Sequence, residues 1–230
     1  MTASLVGPGN RTAGPTESVT AIRSDTRARR AVDVVVGSVL LVVAAPLMAM
    51  IAVLIRRESP GPAVFRQVRV GARDQPFTLL KFRSMRTGGG NGAQVSGNRD
   101  PRITRVGAVL RASKLDELPQ LVNVVRGDMT IIGPRAEVAR YVEHYTDEER
   151  LLLTVRPGLT GPGQLHFTER QADELDDVDD PETHYVERQL HPKLALDLAY
   201  LRDRSLRTDL RVLVTTVRVL VHALVPRRPA

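Results

Sequence analysis

The chain has 230 residues, no cysteine and a formal net charge of +7. This length allows one well-buried core with a small addition, and the lack of cysteine excludes disulfides and thiolate chemistry. The basic balance favours anionic partners such as phosphates or acidic lipid, whereas an aromatic content of 3% and scattered arginines argue against nucleic acid.

The N-terminal part of the sequence predicts a tail followed by a membrane segment. Residues 1–22 are rich in Gly, Pro, Ser and Thr without periodicity, which is typical of a disordered tail. Residues 34–55 carry no charge, and as a helix they would be roughly 33 Å long at about 1.5 Å per residue. The simplest interpretation of such a segment is a single membrane span.

Two features of this segment favour instead a re-entrant hairpin that enters the bilayer and returns. Pro46 lies near its middle and removes a helix hydrogen bond, which favours a bend. Arginines occur on both flanks, so both ends are expected on the cytoplasmic side. Asp33 at the mouth of the segment is expected to pair with Arg29 or Arg30. The predicted division is therefore a membrane segment at 23–57 and a catalytic domain at 58–226.

Beyond the membrane segment, the sequence predicts short strands first and then mainly helices. Strand-like runs at 63–70 and 76–85 flank a turn at 71–74, and a glycine-rich loop follows at 87–98. A helical region at 103–125 precedes a short apolar run at 129–132. Residues 169–182 are acidic and read as a surface loop. The predicted fold class is α+β and mostly helical.

The C-terminal segment has leucines and valines at helical spacing, with arginines at every seventh position on another side. A helix of this type can lie in the headgroup layer of a membrane. It can equally close the core of the soluble part, and the pattern alone leaves both interpretations open.

The most informative motif is the acidic pair Asp116-Glu117, which stands just before Leu118-Pro119. Pro119 is typical of a first helical position, which puts the pair at the positive end of a helix dipole. An Asp carboxylate in such a place can act as a nucleophile, and an adjacent Glu can hold a hard cation such as Mg²⁺. The alternative is a helix cap, because Ser113 stands three residues before Asp116 in a capping-box pattern.

Several segments in a fixed order resemble a known family. They are SPGPAVFRQVRVG (59–71), PFTLLKFRSM (76–85), DPRITRVGAVLRASKLDELPQLVNVVRGDMTIIGPR (100–135), RPGLTGPGQ (156–164) and DLAYLRDRSLRTDL (197–210). Together they resemble the monotopic bacterial sugar transferases, the small form of the polyprenol-phosphate phosphoglycosyl transferases. The resemblance covers roughly residues 29–220. One departure is Gly163, which stands where the family commonly has a bulky residue and which predicts a wider sugar side of the pocket.

The resemblance implies a reaction in which a sugar-1-phosphate moves from a UDP-sugar to undecaprenyl phosphate, initiating glycoconjugate or exopolysaccharide synthesis. It implies a covalent phosphosugar on Asp116, with Glu117 as the Mg²⁺-associated partner. Lys81, Arg83 and Arg135 are the candidate phosphate ligands, since cationic side chains would complete the clamp. The expected location is the cytoplasmic face of the inner membrane.

The main alternative is a non-catalytic, basic anchor or assembly protein at the membrane surface. It would predict a damaged acidic pair or a missing phosphate clamp, and the sequence has neither. The sugar, the pathway product and the existence of a homodimer are left open by the sequence.

Overall fold

The computed structural model describes residues 25–86, 97, 99–167 and 174–224. The predicted tail at 1–22, most of the glycine-rich loop at 87–98 and the first part of the acidic loop at 169–182 lie outside these residues. Within them the chain is mostly helical with a few short strands, as predicted.

A single long helix, α1, covers Arg27–Glu58. It begins where the Thr26 hydroxyl accepts a hydrogen bond from the Arg29 amide, and it ends before Pro60. Pro46 lies inside this helix with its side chain exposed, and helical structure continues on both sides of it. The predicted return of the chain at Pro46 is therefore not confirmed by the structure.

A β-hairpin follows, as the sequence predicts. Strand β1 covers Val64–Val70 and pairs antiparallel with β2, Pro76–Phe82. The connecting turn contains a short 3-10 helix, Ala72–Asp74, in which Arg73 and Asp74 have φ near 57° and 58°.

Three short elements then form the segment that carries the acidic pair. They are helix α2 at Arg105–Ala112, a 3-10 turn at Leu115–Glu117 and helix α3 at Gln120–Arg126. The remaining elements are β3 (Thr130–Ile132), α4 (Ala139–Val142), a 3-10 helix (Glu149–Thr154), β4 (Gly158–Thr160), α5 (Pro162–Phe167), α6 (Pro181–His184), a π-helix (Tyr185–Leu190), α7 (His191–Arg202) and α8 (Leu206–Leu224).

Strands β3 and β4 pair in parallel and bring together two glycine-containing turns. A Cβ atom on Gly158 would lie 2.1 Å from the amide nitrogen of Gly133, so neither backbone could approach the other with a side chain there. This close approach fixes the position of the Gly133-Pro134-Arg135 turn.

Helix α1 shares a core with the rest of the chain. Ile51 and Ile55 are 3% and 2% exposed and pack with Ala63, Phe82 and Leu110, all of which lie beyond the predicted boundary at 57–58. The largest buried cluster lies further along the chain, where α4, the π-helix, α7 and their neighbours pack together.

Two helices expose large apolar side chains. Helix α1 is long and apolar enough to cross a membrane, and only 11% of its most apolar window is buried. In α8, Leu206 and Leu210 are 85% and 62% exposed, whereas Val212 is buried. Helix α8 therefore joins the core through Val212 but leaves most of its apolar side uncovered.

Candidate functional site

The acidic pair sits in a tight turn between two helices. Ser113 ends α2, Lys114 follows in the left-handed region with φ 59°, and the 3-10 turn then leads to Pro119 at the start of α3. The Ser113 hydroxyl donates back to the Val109 carbonyl over 2.7 Å. Neither the following 3-10 turn nor α3 has a side-chain cap hydrogen bond, so the capping interpretation of the motif is wrong.

Asp116 points into the protein and meets a lysine. Its side chain is 2% exposed, and its Oδ2 lies 2.7 Å from Lys81 Nζ on strand β2. Its Oδ1 is buried and has no hydrogen-bond partner among the residues that the structure describes. A buried carboxylate oxygen without a partner is costly, so it marks a position where a ligand or a reacting group is expected.

The neighbouring Glu117 instead lines a cavity that is open to solvent. Lys81, Arg69 and Arg135 line the same cavity, so one carboxylate faces three cations across it. The Glu117 carboxylate makes no hydrogen bond or ion pair with any described residue. The cavity is thus an anion site with one available acidic group.

Lys114 adds a second ammonium near the acidic pair. Burial lowers its pKa, while the carboxylates of Glu117 and Asp116 act in the opposite direction. Its left-handed backbone is uncommon for a residue with a side chain, and such conformations concentrate at functional sites.

Asp116 and Glu117 are the candidate donors for the Mg²⁺ ion that the resemblance implies. Within the described part of the chain, no group of three or more acidic or histidine side chains could hold a metal by itself. Mg²⁺ does not require such a cage, because it commonly uses one or two carboxylates together with waters and substrate phosphates. Asp116 Oδ1 and the unpaired Glu117 carboxylate are the donors available for it.

Arg83 is not brought together with the other predicted phosphate ligands. Its side chain is buried, and its guanidinium donates to the carbonyls of Pro60 and Ser59 over 2.5 and 2.7 Å. A third contact, to the Ile55 carbonyl at 3.4 Å, completes a cap on the end of α1. Arg83 differs from Lys81 because β2 ends at Phe82, so the two side chains do not share a strand face.

Asp33 makes other contacts than the predicted arginine pair. Its carboxylate is buried and accepts hydrogen bonds from the Thr130 hydroxyl and the Ile131 amide, at 2.8 and 3.0 Å. Arg30 instead donates to the Val124 and Val125 carbonyls at the end of α3. The pairing predicted for Asp33 is therefore wrong, since this carboxylate joins α1 to β3.

Several residues around the cavity were not found by sequence reasoning. Arg69 is held by the Gln67 side chain through Nε and Nη2, at 2.9 and 2.6 Å. Glu137, only 5% exposed, lies between Arg69 and Arg135. Asp197 accepts hydrogen bonds from the amides of Gly163 and Arg135, and burial raises its pKa to about 7. Only tertiary structure brings these residues together, so no local pattern indicates them.

Gly163 does not widen the pocket. A Cβ atom there would lie 2.7 Å from the Lys193 carbonyl oxygen and 2.9 Å from Asp197 Oδ2. The space that a side chain would fill is occupied by α7, which packs closely against α5. The expectation of a wider sugar side of the pocket is therefore wrong.

Fold and site together define a class of protein. A lysine-paired carboxylate, a second available carboxylate and an arginine-lined cavity are the parts expected of a site for phosphoryl transfer, and they lie beside a long, exposed apolar helix.

Comparisons with known proteins identify the family. The protein-family model described as bacterial sugar transferase matches residues 24–223. The chain is 40% identical over 194 residues to the UDP-glucose:undecaprenyl-phosphate glucose-1-phosphate transferase of Caulobacter vibrioides, a match that covers 82% of this chain and 68% of that protein. The chain belongs to the bacterial sugar transferase family and is an enzyme, as the resemblance predicted.

Two further relatives differ in length and in name. The UDP-N-acetylgalactosamine-undecaprenyl-phosphate N-acetylgalactosaminephosphotransferase of Aeromonas hydrophila is 36% identical over 197 residues, 84% of this chain and 43% of that protein. The exopolysaccharide production protein PSS of Rhizobium leguminosarum bv. phaseoli is 34% identical over 200 residues, 82% of this chain and 92% of that protein.

Proposed function

We propose that the enzyme transfers a sugar-1-phosphate from a UDP-sugar to undecaprenyl phosphate and so initiates glycoconjugate or exopolysaccharide synthesis. One observation carries the proposal: the buried Asp116, paired with Lys81, lies beside a cavity lined by Glu117 and Arg135. Relatives named for this reaction with UDP-glucose or UDP-N-acetylgalactosamine support it.

In the proposed first step, Asp116 attacks the phosphorus atom that carries the sugar. A bond forms between a carboxylate oxygen and this phosphorus, and the bond to the bridging oxygen breaks, so that UMP leaves with that oxygen and its electron pair. The phosphate oxygen of undecaprenyl phosphate then attacks the same phosphorus and releases Asp116. Both steps exchange one P–O bond for another, so neither requires a net proton transfer.

Lys81 has two tasks in this scheme. It neutralises the Asp116 carboxylate before substrate binds, and its 28% exposure leaves it able to turn toward the cavity. A diphosphate bound in the cavity competes with Asp116 for the Lys81 ammonium. The Asp116 carboxylate is therefore released from its ion pair when the substrate is present. Arg135 supplies the second cation, and it can grip two phosphate oxygens at once.

Asp116 and Glu117 are the residues that would hold Mg²⁺. When bound, the ion offsets the charge of the diphosphate against the attacking carboxylate. Glu117 suits this task because its carboxylate makes no hydrogen bond or close ion pair with a described residue.

We also propose that the enzyme lies on the cytoplasmic face of the inner membrane without crossing it. Near its start, α1 contacts β3 through Asp33, and near its end it packs on α2 through Ile55. A helix held at both ends by one catalytic unit is expected to have both ends on one side of the bilayer. The exposed apolar sides of α1 and α8 would then enter the lipid, with residues 23–57 as the re-entrant segment and 58–226 as the catalytic domain.

The reaction is tested with detergent-solubilised protein, Mg²⁺, undecaprenyl phosphate and a panel of UDP-sugars, with UMP release as the measurement. We expect release with one or a few donors, and a loss of at least about a thousandfold in Asp116→Asn, because an amide is not a nucleophile. Asp147→Asn, at an exposed position, is the matched control and should retain full activity.

Mass spectrometry identifies the covalent step. With donor but no acceptor, the wild type should gain one phosphosugar on the peptide that contains Asp116. Turnover with the label on another residue would refute the role of Asp116. The absence of nucleoside monophosphate release with every UDP-, GDP- and TDP-sugar would favour the non-catalytic anchor.

The topology has its own test, which the absence of cysteine makes simple. Ala28→Cys and Arg57→Cys place single thiols at exposed positions on either flank of the apolar segment. A membrane-impermeant maleimide should label both in inverted vesicles and neither in intact spheroplasts. Labelling of the two from opposite sides would instead establish a span.

A further inference from the structure

Glu137 is a buried carboxylate in contact with two arginines of the cavity wall. Its Oε2 lies 3.4 Å from Arg69 Nη1, and its Oε1 lies 3.6 Å from Arg135 Nε. The Tyr185 hydroxyl donates to Oε1 over 2.8 Å. Both oxygens of Glu137 are therefore engaged, and its side chain has one defined orientation.

The surroundings of Glu137 are themselves fixed. Arg69 is held by Gln67 and also donates to the Ala136 carbonyl over 3.0 Å. The Glu137 carbonyl accepts from the Val70 amide at 2.9 Å, which joins this segment to β1. Burial raises the pKa of Tyr185 well above its ordinary value, so the phenol keeps its proton and continues to donate.

The two arginines differ in how many of their nitrogens remain available to bind a ligand. Arg69 uses all three of its guanidinium nitrogens within the protein, and its side chain is only 12% exposed. Arg135 is 38% exposed and meets Glu137 through Nε alone, and no described residue accepts a hydrogen bond from its two terminal nitrogens. Those two nitrogens form the edge of a guanidinium that binds a phosphate bidentately.

The charge balance also leaves Arg135 able to bind an anion. One carboxylate shared between two guanidinium groups leaves a net charge of about +1 in the wall, so Arg135 stays attractive to an anion. Without Glu137, the two guanidinium groups would repel each other, and Arg135, the more exposed of the two, would move away from Arg69.

We propose that Glu137 is a positioning residue that holds Arg135 by Nε and turns its terminal nitrogens toward the phosphates of the nucleotide donor. The inference rests on the proposed function for the identity of the ligand. It differs from a role in folding alone, because it requires that Glu137 act on the ligand only through Arg135.

A double-mutant cycle separates these two roles. Glu137→Gln keeps the shape of the side chain but removes the charge that holds Arg135. The variants are Glu137→Gln, Arg135→Ala and the two combined, and the measurement is the dissociation constant of UDP by titration calorimetry in the presence of Mg²⁺. UDP carries the diphosphate and does not turn over, so binding is measured independently of catalysis.

We expect UDP to bind about tenfold more weakly to Glu137→Gln than to the wild type, which corresponds to the loss of one charge-assisted contact. In the Arg135→Ala background, the same change should alter binding less than about twofold, because the side chain that Glu137 positions is absent. Glu149→Gln is the matched control: it alters another buried carboxylate, which pairs with His191, and should leave UDP binding unchanged.

Equal tenfold losses in both backgrounds would overturn the proposal and assign Glu137 to the fold alone. A wild type that does not bind UDP would overturn it as well. If UDP binds and the cycle is non-additive but no UDP-sugar yields UMP, the proposed reaction fails while the positioning role stands.

Discussion

Replacing Lys81 with methionine tests the ion pair at the centre of the site. The variant keeps an apolar stem of similar length but leaves the Asp116 carboxylate, 2% exposed, without a partner. Breaking a buried pair by removing one member costs about 3–5 kcal/mol. Because the Lys81 side chain is 28% exposed, water screens the pair, and we expect the lower end of this range, about 3 kcal/mol.

The double variant Lys81→Met/Asp116→Asn shows whether the loss comes from the unpaired charge. A neutral amide needs no counter-ion, so more than half of the lost stability should return. For a chain of this size, 1 kcal/mol corresponds to about 2–4 °C in melting temperature, so the single variant should melt about 6–12 °C below the wild type.

The assay is thermal unfolding in detergent, with UMP release measured on the same samples. All three variants, including Asp116→Asn alone, should be inactive, so that stability and activity separate in the double variant. If Lys81→Met melts within about 2 °C of the wild type, or if the double variant is no more stable than the single, the pair does not hold the nucleophile and the reasoning fails.

Three further predictions concern the framework of the site. Arg83→Met should cost about 3 kcal/mol, seen as a lower melting temperature, with an unchanged KM for the donor, because Arg83 caps α1; a large rise in KM would instead favour the phosphate role. Gly107→Ala should prevent stable folding, measured as soluble yield and melting temperature, since its Cβ would lie 2.0 Å from the Ser84 carbonyl oxygen, whereas Ala108→Gly should still fold. In the folded chain the pKa of Asp197 is raised from 3.8 to about 7, so the folded state binds more protons in that interval and stability falls as pH rises through it. The melting temperature of the wild type minus that of Asp197→Asn should therefore decrease from pH 4 to pH 7, and a constant difference would contradict the shifted titration.

The parts of the fold that follow from local signals were predictable from the sequence. The turn at 71–74 between two β-rich runs predicted the hairpin, and Pro119 predicted the start of α3. The acidic pair was predictable because its neighbours in the chain set its geometry. The family resemblance added the order of the motifs, which no single motif supplies.

The parts that depend on distant contacts were not predictable. Asp33 was expected to pair with a nearby arginine, yet its partners lie 97 and 98 residues away. Lys81 and Arg83 are two positions apart, which suggests one strand face, but β2 ends between them and the arginine turns to α1. Both errors arise where tertiary contacts compete with near neighbours for a charged group.

The core that α1 shares with the catalytic part links activity to the biogenesis of the protein. During synthesis α1 leaves the ribosome before the hairpin and α2, yet Phe82 and Leu110 complete their packing only against its Ile51 and Ile55. A variant that lacks residues 1–58 would lose Ile51 and Ile55 as packing partners. It would also lose the Ile55 carbonyl that Arg83 contacts. The active site is therefore expected to form fully only after the apolar helix has entered the membrane. Protein that remains in the aqueous phase is expected to be inactive.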